Sequence, residues 1–124
     1  MPYSYVLFVD DDFWCHLNTC DDLREYGLIV VEAYSACEAT KVMGEAKRLT
    51  ALVTDIDLGK GPDGFEVARR ARCVYPGLPV VYVSGAARAR HASEGVEGSE
   101  FVSKPFTARQ IVEALDHASY IEAA

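Results

Sequence analysis

Five short apolar runs, continuous rather than alternating, constrain this chain more than any other feature. Tyr5-Val6-Leu7-Phe8-Val9 stops at three consecutive aspartates, Asp10, Asp11 and Asp12. Leu28-Ile29-Val30-Val31 follows a Tyr26-Gly27 stop signal, and Ala51-Leu52-Val53-Thr54 ends at Asp55. Val80-Val81-Tyr82-Val83 ends at Ser84-Gly85, and the shorter Phe101-Val102 ends at Ser103-Lys104-Pro105. A strand with one wet face alternates apolar and polar residues. A run that is apolar throughout is buried on both faces, as in a parallel sheet flanked by helices.

Between these runs the periodicity becomes helical. Apolar residues at 13, 14, 17, 20, 23 and 26 predict a helix from Phe13 to Tyr26. Ser35, with Glu38 three residues on, forms a capping box for a helix running to about Lys47. Asp63 and Glu66 repeat that signature ahead of Phe65, Val67, Ala68 and Ala71, and Thr107 caps a last helix carrying Ile111, Val112 and Leu115. The segment from Ala86 to Gly98, rich in Ala, Arg, Ser and Gly, has the weakest pattern of the five. Five alternations of strand and helix imply an α/β sheet with helices on both faces. A chain of 124 residues has room for one domain, spanning 1–124, and no output domain is expected.

Composition narrows the function. A net charge of −7 opposes broad nucleic-acid binding, yet clustered carboxylates are what Mg²⁺ requires. Cysteines 15, 20, 37 and 73 form no Cys-x-x-Cys pair and none stands at zinc-ligand spacing from a histidine, so they read as small apolar residues kept reduced. His16, His91 and His117 read as surface or partly buried helix residues. No run approaches a membrane span and no secretory segment precedes Tyr5, so a cytoplasmic location is expected.

Ligands of a parallel α/β sheet bind at the carboxyl ends of its strands. Asp10 and Asp11, Asp55, Ser84 and Lys104 all fall at such ends, which gathers them on one edge. One or two carboxylates of the 10–11 pair, with Asp55, can hold Mg²⁺ while it keeps several waters. Asp55 can then attack phosphorus as a nucleophile, Lys104 can pair with a phosphoryl oxygen, and Ser84 can donate to another. Asp12 is also positioned to cap the helix that begins at Phe13.

In order along the chain, Phe8-Val9-Asp10-Asp11-Asp12, Leu52-Val53-Thr54-Asp55, Asp63-Gly64, Val83-Ser84-Gly85 and Ser103-Lys104-Pro105-Phe106 resemble the receiver domains of bacterial two-component response regulators. The resemblance implies a flavodoxin-like (βα)5 fold with a five-stranded parallel sheet in the order 2-1-3-4-5. It implies Asp55 as phospho-acceptor, Asp10 and Asp11 as the acidic pair, with Asp11 the more direct Mg²⁺ ligand, and the Asp57 backbone carbonyl as a further ligand. Lys104 matches the phosphate-binding lysine, with a cis bond expected before Pro105. Ser84 and Phe101 match the switch positions. Phe101 lacks a tyrosine hydroxyl, so a switch there works through packing. The loop from Asp57 to Asp63 is one residue longer than the usual pattern, and Gly95 and Gly98 predict a short fourth helix.

The implied function is a phospho-accepting signalling module served by a histidine kinase or phosphotransfer protein. It has no enzyme activity beyond self-phosphotransfer and autodephosphorylation, and acts on an unidentified downstream protein or serves as a phosphorelay intermediate. No nucleic acid or membrane partner is expected, and a homodimer is compatible with the family. Two other readings compete. A small haloacid-dehalogenase-like phosphatase would use Asp10 as nucleophile and Asp12 as general acid, leaving Asp55 without a role. An interaction-only receiver would have lost the phosphorylation chemistry.

Overall fold

In the computed structural model, which describes residues 5–45, 48–85 and 88–123, strands and helices alternate five times. The strands are β1 (Tyr5–Val9), β2 (Ile29–Ala33), β3 (Ala51–Asp55), β4 (Val80–Ser84) and β5 (Glu100–Ser103). The helices are α1 (Phe13–Glu25), α2 (Ala36–Glu45), α3 (Gly64–Val74), α4 (Arg88–Glu94) and α5 (Ala108–Ala123). All strand pairs are parallel, in the order β2-β1-β3-β4-β5. This is the doubly wound topology expected from the sequence.

The pleat divides the core into two layers. Leu7, Val9, Leu52, Val80 and Tyr82 face α2 and α3, meeting Ala39, Met43, Phe65, Val67 and Ala71. Their neighbours Val6, Phe8, Val53, Val81 and Val83 face the other way, onto Cys20 and Leu23 of α1 and Ile111 and Leu115 of α5. Every residue of β3 and β4 is buried, which is why those runs read as unbroken apolar stretches. β2, on the sheet edge, is half exposed, and its ladder continues through Glu32 to Ala33, two residues past its apolar run.

Capping follows the sequence with two departures. The Ser35 hydroxyl accepts from the Glu38 N–H, and Glu38 reaches back to the Tyr34 N–H, one residue before the cap. Thr107 and Gln110 close a reciprocal box at the start of α5. Asp63 accepts from the Glu66 N–H, but the Glu66 carboxylate turns forward to Arg69 and Arg70, so half of that box is missing. α1 ends at Glu25, one residue early, and Gly27 at φ 89° turns the chain into β2. The expected end of α2 at Lys47 and the start of the fourth helix at Ala86 lie outside the described residues. The described part of α4 runs over Arg88–Glu94 and stops at Gly95.

Gly64 fixes how α3 meets the sheet. Its N–H donates to the Ile56 carbonyl at 2.8 Å, and a Cβ there would run into the Asp55 carbonyl and the backbone of Ile56. Gly64→Ala is therefore expected to lower stability by about 1–3 kcal/mol through forced backbone displacement. Gly44→Ala, in open space on α2, is expected to raise it by roughly 0.5–1 kcal/mol. Urea denaturation of the two variants checks this, and equal midpoints would refute the close approach at Gly64.

Candidate functional site

Three strand ends and one loop build the site. β1 delivers Asp10, β3 ends on Asp55, and β4 ends on Ser84, whose Cα partner is Ser103 of β5. Lys104 follows immediately, its N–H donating to the Ser84 carbonyl at 3.0 Å and its peptide bond to Pro105 cis. Residues far apart in sequence thus share one edge because the parallel register stops their strands at the same height.

Asp10 is fully buried and satisfied on every side. Its Oδ1 accepts from the Asp12 N–H at 2.8 Å, its Oδ2 accepts from Lys104 Nζ at 3.2 Å, and its carbonyl accepts from His16 Nε2 at 2.6 Å. Asp55 is also buried. Its Oδ2 accepts from Lys104 Nζ at 3.0 Å and its Oδ1 from the Asp57 N–H at 3.2 Å. Asp11, next to them, is exposed. Carboxylate oxygens of Asp10, Asp11 and Asp55 lie within 4.8 Å of one another. Three carboxylates against one ammonium leave a surplus of negative charge on an all-oxygen donor set, the chemistry that suits a hard divalent cation.

The electrostatics follow from burial. Burial first, and the Asp10 charge second, push the Asp55 carboxyl up to about 6, while Lys104 and the Asp57 N–H pull it back. Burial draws the Lys104 ammonium down, but Asp10 and Asp55 outweigh it and hold the group above the ordinary lysine range.

The residues singled out from the sequence divide clearly. Asp10, Asp11, Asp55 and Lys104 come together, and Ser84 sits buried at the adjoining strand end. Asp57 is exposed, with its backbone tied to Asp55. Phe101, on β5, is half-buried, its ring 5.7 Å from His91. That contact extends a row: His91 lies 5.4 Å from Tyr82, Tyr82 lies 5.0 Å from Phe65, and Arg90 covers Phe65 at 5.1 Å. Asp12 caps α1, its Oδ1 accepting from the Trp14 and Cys15 N–H groups.

Sequence reasoning missed His16. Expected at or near the surface, it is buried, stacked on Tyr34 at 3.9 Å and bonded to the Asp10 carbonyl. The absence of His–Cys metal spacing is also corrected. His16 and Cys20 lie one turn apart on α1, and with Glu32 of β2 their donor atoms fall within 4.8 Å of one another. The signal was the i, i+4 spacing, and only the packing of β2 against α1 reveals the third member.

Comparison with known proteins agrees with this geometry. The family model for the response regulator receiver domain matches residues 6–116. A response regulator receiver protein of Anaeromyxobacter sp. (strain Fw109-5) is 34% identical over 108 residues, covering 87% of this chain. The chain spans 42% of that relative's length. A receiver protein of Sinorhizobium medicae WSM419 superposes with a TM-score of 0.89 at 33% identity, covering 95% of each chain. The receiver domain of the hybrid histidine kinase CckA does so at 0.78 and 26%, covering 93% of this chain and 98% of that one. Among the described residues no helix is long and apolar enough to cross a membrane.

The raised Asp55 carboxyl has a consequence for stability. Between about pH 4 and 6 the folded state holds a proton that the unfolded chain releases, so stability falls as pH rises through this window. Asp55→Asn removes the penalty. In chelator it is expected to stabilise the protein near neutral pH by on the order of 2 kcal/mol, with the gain vanishing toward about pH 4. Thermal melts at the two pH values test this, and a variant no more stable than wild type near neutrality would refute it.

Proposed function

The chain belongs to the response regulator receiver domain family of phospho-accepting signalling modules, and from that membership we propose that Asp55 accepts a phosphoryl group from a histidine kinase or phosphotransfer protein in a Mg²⁺-dependent reaction. The observation that carries this reading is Lys104 Nζ bridging Asp55 Oδ2 and Asp10 Oδ2 at 3.0 and 3.2 Å. A cation is thereby held beside the oxygen that would attack. In this reading Asp10, Asp11, Asp55 and the Asp57 carbonyl hold Mg²⁺, which when bound supplies positive charge against the transferring phosphoryl oxygens.

A carboxyl pushed up to about 6 is still mostly ionised at neutral pH, so Asp55 retains a lone pair for attack. Its Oδ forms a bond to phosphorus as the donor's P–N bond breaks, and the electron pair leaves with the imidazole. Lys104 pairs with one phosphoryl oxygen and the Ser84 hydroxyl donates to another. Attack by water on the phospho-aspartate returns the free carboxylate and inorganic phosphate. The signal passes to an unidentified protein partner through repacking around Ser84 and Phe101.

The donor's route follows from exposure. A cleft of about 480 Å³ beside Lys104 is lined by Asp12, Trp14, Cys15, Asn18 and Phe106 among others. Trp14, which lines it, is 68% exposed. Exposed Trp14 and the apolar Phe106 beside Lys104 suit a partner that must hold its histidine in line with Asp55. The phosphatase reading is disfavoured by Asp12, whose carboxylate serves the N-terminus of α1 rather than a leaving group.

Intact mass after incubation with Mg²⁺ and a small acyl phosphate tests the proposal. Wild type is expected to gain one phosphoryl group, Asp55→Asn none, and chelation to abolish the gain. Lys104→Ala, losing a charge-assisted hydrogen bond of about 1.5–3 kcal/mol, is expected to slow phosphorylation roughly tenfold or more. A phosphoryl group on Asp55→Asn would sink the assignment. No adduct in wild type, with neither acyl phosphate nor a phosphohistidine donor, would favour an interaction-only receiver. Mg²⁺ affinity should fall as pH is lowered through about 6, because a proton then competes for Asp55.

A further inference from the structure

A second cluster of donor atoms lies behind the acidic site, between α1 and β2. His16 and Cys20 are each 1% exposed and face Glu32 across the gap to the sheet edge. His16 Nε2 lies 2.6 Å from the Asp10 carbonyl. A carbonyl only accepts, so Nε2 carries its hydrogen, which turns Nδ1 toward Glu32 and Cys20. Glu32 Oε1 lies 3.1 Å from Nδ1 and Cys20 Sγ lies 3.8 Å from it. A proton on Nδ1 can join this pair, and a cation can take that proton's place.

We propose that His16 Nδ1, Cys20 Sγ and Glu32 Oε1 form a binding site for one Zn²⁺-class cation, separate from the all-oxygen pocket of Asp10, Asp11 and Asp55. One imidazole nitrogen, one thiolate and one carboxylate are a borderline-soft donor set, which selects Zn²⁺ over Mg²⁺. The i, i+4 spacing puts two ligands on the same face of α1, and β2 brings the third. The outer contacts fit as well. The bond from Nε2–H to a backbone carbonyl is the arrangement that fixes the tautomer and plane of a metal-binding histidine, and Tyr34 stacks on the same ring at 3.9 Å.

Arg24 does not block the site. Its Nη2 donates to Glu32 Oε2 at 2.9 Å, which leaves Oε1 to the cation and offsets part of the negative charge. The weak 3.3 Å bond from the Tyr34 hydroxyl to Oε1 is the one to be released. Burial pushes the Cys20 thiol up to about 12, so the metal-free site holds a thiol. On binding, the cation takes the proton's place on sulfur and the proton leaves to solvent. Three protein ligands leave the fourth tetrahedral position to water.

Co²⁺ is the probe, because a cobalt–thiolate bond gives near-ultraviolet charge-transfer absorption that an oxygen-only site cannot produce. The full chain, kept reduced, is titrated with Co²⁺ in excess Mg²⁺, so the result does not depend on Asp55 being the phospho-acceptor. The expected result is a band that saturates at one Co²⁺ per chain, is bleached by Zn²⁺, and is absent in Cys20→Ala. Cys15, Cys37 and Cys73 remain in that variant, so a surviving band would reassign the sulfur and overturn the site. A wild type without the band would overturn it too, leaving a histidine–carboxylate contact alone. Should Cys20→Ala fail to fold by circular dichroism, Glu32→Gln at its half-exposed position decides. Co²⁺ affinity weaker by roughly tenfold or more supports the site, and unchanged affinity refutes it.

Discussion

Two carboxylates, Asp10 and Asp55, end a buried sheet with almost no access to water, and the Lys104 ammonium between them is what makes this arrangement tolerable. An unpaired charge in such surroundings costs about several kcal/mol. Each aspartate here has Lys104 on one oxygen and a backbone N–H on the other. The compensation is incomplete, since burial and mutual repulsion still push Asp55 up to about 6. The sheet end is thus held short of positive charge. A protein that keeps such a deficit gives up stability in exchange for a strong preference for cations at that point.

The rest of the fold sets the heights at which these groups stop. Val9 pairs with Thr54, Asp55 with Val83, and Ser84 with Ser103, so a slip of one residue in any ladder would turn a site residue to the opposite face. The register is pinned by burial on both faces, because every inward residue of β3 and β4 has a helix to meet. Gly64 adds a local constraint, letting the start of α3 rest directly on the Asp55 backbone.

The fold was legible because burial on both faces leaves continuous apolar runs, and four of the five ended within one residue of where the strands end. β2 was read too short because Glu32 breaks the pattern, although the ladder with β1 carries the strand on to Ala33. The four polar positions at the sheet edge were legible for the same reason, since each marks where an apolar run stops. His16 was not, because a histidine in an amphipathic helix gives no sign of what the opposite strand will bring to it. Nor could sequence show that Lys104 would reach both Asp10 and Asp55, which depends on a loop after β5 and not on any periodicity. The forward turn of Glu66 to Arg69 and Arg70 is a third case, in which two neighbouring cations outcompete a backbone N–H for one carboxylate.

The aromatic row that starts at Phe101 has a mechanical consequence. Tyr82 is fully enclosed at its centre, its hydroxyl accepting from the Val96 N–H. His91 is wedged between Tyr82 and Phe101, and a side chain at Gly95 would collide with it. Arg90, the next residue on α4, covers Phe65 and bonds Asp63 on the far side. Contacts in series can pass a displacement along the row. A swing of the Phe101 ring is thereby felt first at His91 on α4, and a shift of α4 at the edge of the sheet.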